Sequence, residues 1–223
     1  MTCVIGYLDE IDKRVYIGAD TLGTDVSSGL GEKATMIDSK IIIFHIKSYN
    51  TRYKLLLGYE GSYSVGQAIT YRFRPNQDNE DYKDDANPKD YICKTFVPQL
   101  KAFLEKENFS EEEASALYIV GYQGHLYEIQ SDFYVNEPLM GFSVIGNGYG
   151  IAQGALYYHR YLEEKQLLST VFAPIDIIKS ALICASTGSA SVSPPFQIFS
   201  VKNNEINIDL DEMPTVDTFK LYA

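Results

Sequence analysis

The apolar residues near the start of the chain come as short runs paired across polar turns, and that pairing constrains the fold more than any other feature. Residues 2–7 and 15–19 flank a charged turn, Asp9-Glu10-Ile11-Asp12-Lys13-Arg14. Short runs rich in β-branched and aromatic side chains, separated by a polar turn, form hairpins. Residues 36–46 and 55–57 make a second pair across the polar stretch 48–54. Residues 116–121 and 126–129 make a third around Tyr122-Gln123-Gly124-His125, with glycine in the turn. Between these, residues 21–32 hold Gly23, Gly29 and Gly31 and read as a loop, and Gly58-Tyr59-Glu60-Gly61-Ser62 reads as a tight turn.

Helical stretches also come in pairs. Residues 63–74 predict a helix capped by Ser62 or Ser64. Residues 75–89 form the most polar stretch, with five acids (Asp78, Glu80, Asp81, Asp84, Asp85), and read as a solvated loop. Residues 91–106 carry apolar side chains at 92, 96, 100, 103 and 104, a helical period, with Pro98 marking a kink or a late start. A short strand at 141–145 leads into Gly146-Asn147-Gly148, and helices follow at 150–168 and 175–184. Residues 186–195 are rich in Ser, Thr, Gly and Pro, and strands at 196–201 and 205–208 close the chain around Asn203-Asn204. The order ββ-ββ-αα-ββ-αα-ββ predicts an α+β fold with antiparallel sheets covered by helix layers. No linker or repeat divides it, so residues 1–223 are expected to form a single domain.

Composition narrows the function. A chain of 223 residues, 45% hydrophobic and 22% charged, buries a core without staples, which excludes a disordered or fibrous protein. The net charge of −11 repels phosphate backbones and anionic lipid, so neither nucleic acid nor membrane is an expected partner. The N-terminus lacks the basic and apolar segments of a signal peptide, and no apolar run is long enough to span a bilayer. Cys3, Cys93 and Cys184 are odd in number and far apart, and His45, His125 and His159 are scattered. Such spacing is neither a disulfide framework nor a metal site, and no cofactor is expected. A reducing cytoplasm is the expected compartment.

Five segments, in order, carry a resemblance. Thr2-Cys3-Val4-Ile5-Gly6, Val15-Tyr16-Ile17-Gly18-Ala19-Asp20-Thr21, Lys33-Ala34-Thr35-Met36-Ile37 with Ser39-Lys40-Ile41, Gly58-Tyr59-Glu60-Gly61-Ser62 and Phe142-Ser143-Val144-Ile145-Gly146-Asn147-Gly148 span most of the chain. Together they resemble the N-terminal nucleophile hydrolases, most closely the proteasome β-type subunits and HslV-like peptidases. The resemblance implies a four-layer αββα sandwich of two antiparallel sheets. It implies a peptide or unfolded-protein substrate, a homo-oligomeric ring and an ATPase that feeds it.

The implied chemistry places Thr2 at the centre. A threonine hydroxyl is a weak nucleophile until a base takes its proton. The α-amine of the same residue serves, with a reference pKa of about 7.7–8.0. Thr2 then has to be N-terminal, which removal of Met1 achieves without a propeptide. The resemblance implies Lys33 beside Thr2, Asp20 pairing with that lysine, the Gly61 N–H at the oxyanion, and Asn147, Ser189 and Ser191 in support. Lys40 is the alternative to Lys33, which is preferred because Lys40 matches the start of the next strand. The sequence departs from the family in several places. Cys3 replaces a second threonine and offers an alternative nucleophile, although a buried strand role is expected of it. Glu60 stands where a small residue is usual, Asn147 replaces a serine, and residues 185–191 lack the usual acid. These departures leave two other readings, a catalytically inactive structural or assembly subunit and an amidase acting on a small amide.

Overall fold

The structure is a computed structural model that describes residues 2–25, 32–35, 39–48, 51–75, 87–110, 113, 115–168 and 170–202. The expected strand at 205–208, most of the acidic stretch 75–89, and residues 49–50 of the polar stretch 48–54 lie outside these residues.

Two antiparallel sheets form the centre. The first has the order β10-β1-β2-β11, from strands β1 (Cys3–Asp9), β2 (Arg14–Asp20), β10 (Phe142–Gly146) and β11 (Phe196–Lys202). The second has the order β5-β6-β7-β8-β9, from β5 (Ile41–Ser48), β6 (Thr51–Glu60), β7 (Leu117–Tyr122), β8 (His125–Ile129) and β9 (Val135–Asn136). A two-stranded ribbon, β3 (Leu22–Asp25) with β4 (Glu32–Thr35), occupies part of the stretch expected to be a loop. Its small and polar residues hide the strand pattern, because neither face shows an apolar alternation.

Side-chain alternation stacks four layers. On β1, Cys3 and Ile5 face the helices α4 (Tyr149–Glu164) and α5 (Pro174–Gly188), while Val4 faces the second sheet. On β6, Leu55, Leu57 and Tyr59 face α1 (Tyr63–Arg72) and a helical segment, while Leu56 faces the first sheet. That segment runs α2 (Pro88–Tyr91), a π turn (Ile92–Phe96) and α3 (Val97–Lys106). A strand has period two, so one strand buries both faces only when sheet lies on one side and helix on the other. The fold is therefore α+β, an αββα sandwich. Its three apolar clusters are the two helix–sheet cores and the sheet–sheet core.

Local chemistry explains the details. Pro98 has no N–H to donate, and the ladder just before it shifts so that Val97 N–H donates to Ile92 O. The β7–β8 turn uses Gln123 and Gly124, both at positive φ (47° and 75°), the twist that a two-residue hairpin needs. Helix α5 runs on through Gly188, past the expected end at 184, and α4 stops at Glu164. Glu60 still lies in β6, so the tight turn is confined to Gly61 and Ser62. Among the described residues no helix is long and apolar enough to cross a membrane.

The sheet–sheet core is expected to be sensitive to cavities. Leu56→Ala empties a fully buried site and should lower unfolding free energy by about 2–5 kcal/mol. Ile11→Ala, in the β1–β2 turn and 94% exposed, should change it by less than about 0.5 kcal/mol. Urea unfolding of both variants checks the contrast.

Candidate active site

Strand ends place the site. The antiparallel β1–β2 hairpin sets the start of β1 beside the end of β2, so Val4 pairs with Ala19 and Thr2, just before β1, comes within hydrogen-bond reach of the Asp20 side chain. At the same end of the sandwich, Gly146 closes β10 opposite Cys3, and Phe196 opens β11 opposite Asp20. In the second sheet β5 begins there and β6 ends there, with Lys40 O accepting the Tyr59 N–H at 3.1 Å.

The carboxylate of Asp20 gathers the site. Its Oδ1 accepts from Thr2 Oγ1 at 2.8 Å, from the Cys3 N–H at 2.9 Å and from Lys40 Nζ at 3.0 Å. Its Oδ2 accepts the Leu22 N–H at 3.2 Å. Lys40 Nζ also donates to Leu22 O at 2.6 Å. Lys40 is only 6% exposed and Asp20 is buried. Buried charges persist when they are paired and hydrogen-bonded, and both are. Burial pulls the Lys40 ammonium below the ordinary lysine range, and the attraction of Asp20 works against that pull.

Among the described residues the lysine at Asp20 is Lys40, the alternative to the preferred Lys33. Lys33 lies in β4 with its backbone opposite Thr24, and its side chain lies outside the described residues. The sequence did hold a signal for Lys40. It directly precedes the apolar run Ile41-Ile42-Ile43, so it stands at the mouth of a strand that enters the core.

The remaining expected residues fall around the same end. Gly61 follows β6 immediately, with φ +140°, and a Cβ there would stand 3.0 Å from the Ala116 Cβ. Asn147 is exposed, and its neighbours hold Thr2 through the backbone. Gly148 N–H donates to Thr2 O at 3.3 Å. Gly146 has φ +92°, and a Cβ there would fall 2.3 Å from Thr2 O, so only glycine lets β10 close on the threonine. Ser189 and Ser191 share a hydrogen bond of 2.7 Å between their hydroxyls, in the segment between α5 and β11. Thr21 Oγ1, which the sequence reading did not single out, ties that segment to the end of β2 by donating to Pro195 O at 3.0 Å.

Cys3 gives the site its backbone N–H and not its thiol. Its side chain is fully buried in the core between the first sheet and α4–α5, and burial pushes its thiol up to about 12. Among the described residues no cluster of three His, Cys, Asp or Glu side chains is placed to hold a metal.

No family model matches the chain, and no curated protein matches it significantly. Solved structures do. The epoxomicin complex of BPH from Thiobacillus denitrificans aligns with a TM-score of 0.62 at 16% identity, covering 91% of this chain and 99% of that one. This chain has the proteasome-subunit fold. Eukaryotic HslV from Trypanosoma brucei aligns at 0.54 and 13% identity, covering 90% and 99%. Anbu, an ancestral β-subunit, aligns at 0.62 and 13% identity in its helical assembly from Pseudomonas aeruginosa, covering 92% and 83%. At these identities the proteasome-subunit fold is shared, and the residues at the sheet ends are read from this chain alone.

Two measurements check the geometry. Lys40→Met strands a buried carboxylate and should cost about 3 kcal/mol of stability, because only neutral donors remain on Asp20. Adding Asp20→Asn should recover part of the loss. In the native protein Cys93 and Cys184, both exposed, should react with a maleimide while Cys3 stays unlabelled until the protein is unfolded. Peptide mapping reads this out.

Proposed function

We propose that this chain is a threonine peptidase that uses Thr2 as its N-terminal nucleophile once Met1 is removed. The observation that carries this reading is the shared acceptor. Thr2 Oγ1 and Lys40 Nζ both donate to Asp20 Oδ1, so hydroxyl and ammonium are held within two hydrogen-bond lengths of each other. The complex of a structural neighbour with epoxomicin supports the same chemistry.

In this reading the freed α-amine of Thr2 takes the hydroxyl proton as the oxygen attacks a peptide carbonyl. The C–O bond forms while the carbonyl π electrons move to oxygen. The Gly61 N–H faces that oxyanion, a contribution of about 3 kcal/mol in comparable sites. The amine proton passes to the departing amine as the C–N bond breaks, leaving an ester on Thr2. Water, deprotonated by the same amine, then releases the acid. Lys40 acts as a fixed cation beside the developing alkoxide. It also favours the neutral amine, because a like charge lowers an amine's pKa. Asp20 holds Lys40 in place and accepts from Thr2. The substrate is a peptide or an unfolded protein, and the working form is a homo-oligomer that walls off the site; an ATPase that delivers substrate completes the reading.

Hydrolysis of a panel of fluorogenic peptides tests this. Thr2→Ala should lower kcat by about 10³-fold or more, while Thr2→Ser retains measurable turnover. Lys40→Arg should lower kcat, and Lys33→Ala should leave it near wild type. kcat/KM should rise with pH as the α-amine loses its proton, with a midpoint at or below about 8. Unchanged hydrolysis in Thr2→Ala would exclude the mechanism. Turnover of small amides with none of peptides would point to an amidase.

A further inference from the structure

Glu60 ends β6 beside the glycine turn, and the mechanism leaves it unused. It is half-buried and makes no hydrogen bond or ion pair with a described residue. Withdrawing a carboxylate from water costs free energy unless a cation or donor compensates it. Asp20 spends its oxygens on Thr2, Cys3, Lys40 and Leu22. Glu113, in the segment before β7, is held by Ser110.

Strand geometry sets Glu60 opposite Thr2. Alternate residues of β6 face the first sheet: Leu56 lies in the sheet–sheet core, and a Cβ at Gly58 would stand 2.6 Å from Val4 Cγ1. Glu60 is the next residue on that face, and its partner on β7, Leu117, packs against the same core. From the Val4–Gly58 approach, β1 runs back to Thr2 and β6 runs on to Glu60, both toward the end that holds Asp20. Lys40 ties the two levels together, since its carbonyl accepts the Tyr59 N–H while its Nζ reaches Asp20. The carboxylate and the threonine therefore stand across the slit between the sheets.

The cation that fits is one the chain makes for itself. Removal of Met1 leaves a free α-amine on Thr2. Among the described residues, the charged groups around it are Asp20 at the end of β2, Lys40 before β5, and Glu60. Residues 142–150 and 185–195, which complete this end of the first sheet, hold no charged side chain. The Cys3 thiol points away into the helix–sheet core, and Tyr149 is exposed. The side chains of Asp25, Glu32 and Lys33 lie outside the described residues. Lys40 by itself works against the ammonium that forms when the amine takes the hydroxyl proton. A carboxylate beside that ammonium offsets the penalty, as the aspartate of a Ser-His-Asp triad does for its imidazolium. The oxyanion at Gly61 forms in the same step, and a Glu60 matched by the ammonium does not oppose it.

We propose that Glu60 is the positioning residue for the Thr2 amine, accepting a hydrogen bond from the α-ammonium and holding it against the hydroxyl. Glu60 stays ionised throughout, and the proton moves only from hydroxyl to amine to leaving group. The inference rests on the proposed release of Thr2 from Met1. Competitive labelling with trace acetic anhydride, read by mass spectrometry of the N-terminal peptide, follows the Thr2 amine without any turnover. A carboxylate stabilises the ammonium, so in Glu60→Gln the labelling midpoint should fall by about one pH unit, with Glu60→Asp in between. The midpoint of kcat/KM should fall in step, and kcat should drop by about tenfold or more while KM holds. Glutamine keeps the shape of the side chain, so the melting temperature should stay close to wild type. A merely structural role would lower stability or kcat and leave the midpoint where it was. An unmoved or raised labelling midpoint in folded Glu60→Gln would overturn the pairing and leave the peptidase reading standing. A lowered midpoint in a chain that hydrolyses no peptide would uphold the pairing and sink the peptidase reading. Retention of Met1 would overturn both.

Discussion

One carboxylate oxygen organises the molecule's working end. Asp20 Oδ1 accepts three donors that come from the hydroxyl of Thr2, the backbone of β1 and the ammonium of Lys40. Each of the three finds its acceptor there. A buried lysine needs an opposite charge, a buried hydroxyl needs an acceptor, and the first N–H of β1 needs a partner at the edge of the ladder. The same interaction that makes the strand end stable holds a hydroxyl beside a cation. Structural and chemical demands coincide there, so removing one partner alters both.

The sandwich supplies the precision. Thr2 is fixed by β10 as well as by Asp20, through the Gly148 N–H and the close pass of Gly146. Lys40 is fixed by β6, through the Tyr59 N–H on its carbonyl. Each contact comes from the end of a strand whose position is set by register deep in the core. A site built on strand ends moves little, which suits a reaction whose groups have to meet within hydrogen-bond distance. The glycine turn after β6 belongs to the same frame.

Much of this was legible in the sequence because it rests on local signals. The β1–β2 and β7–β8 hairpins were visible in apolar runs flanking polar turns, and the helix at 91–106 in its periodicity. Thr2 and Asp20 stood out through the family resemblance of the segments that carry them. What the sequence hid was non-local. The choice between Lys33 and Lys40 turns on which strand meets β6, which the apolar run after Lys40 hints at and spacing alone does not decide. The ribbon β3–β4 was hidden because its residues are small and polar. The end of α5 was misplaced because Ser186, Thr187 and Gly188 look like a loop, while two of the hydroxyls bond back to Ile183 O and continue the helix.

The central claim is that the Thr2 hydroxyl, freed at the N-terminus and held by Asp20 beside Lys40, is the nucleophile. Intact mass spectrometry after treatment with a peptide epoxyketone tests it most directly. The account predicts a chain that lacks Met1 and gains one inhibitor, with the adduct on Thr2 in the N-terminal peptide. A peptide-hydrolysing preparation that retains Met1, or an adduct on any other residue, would contradict it.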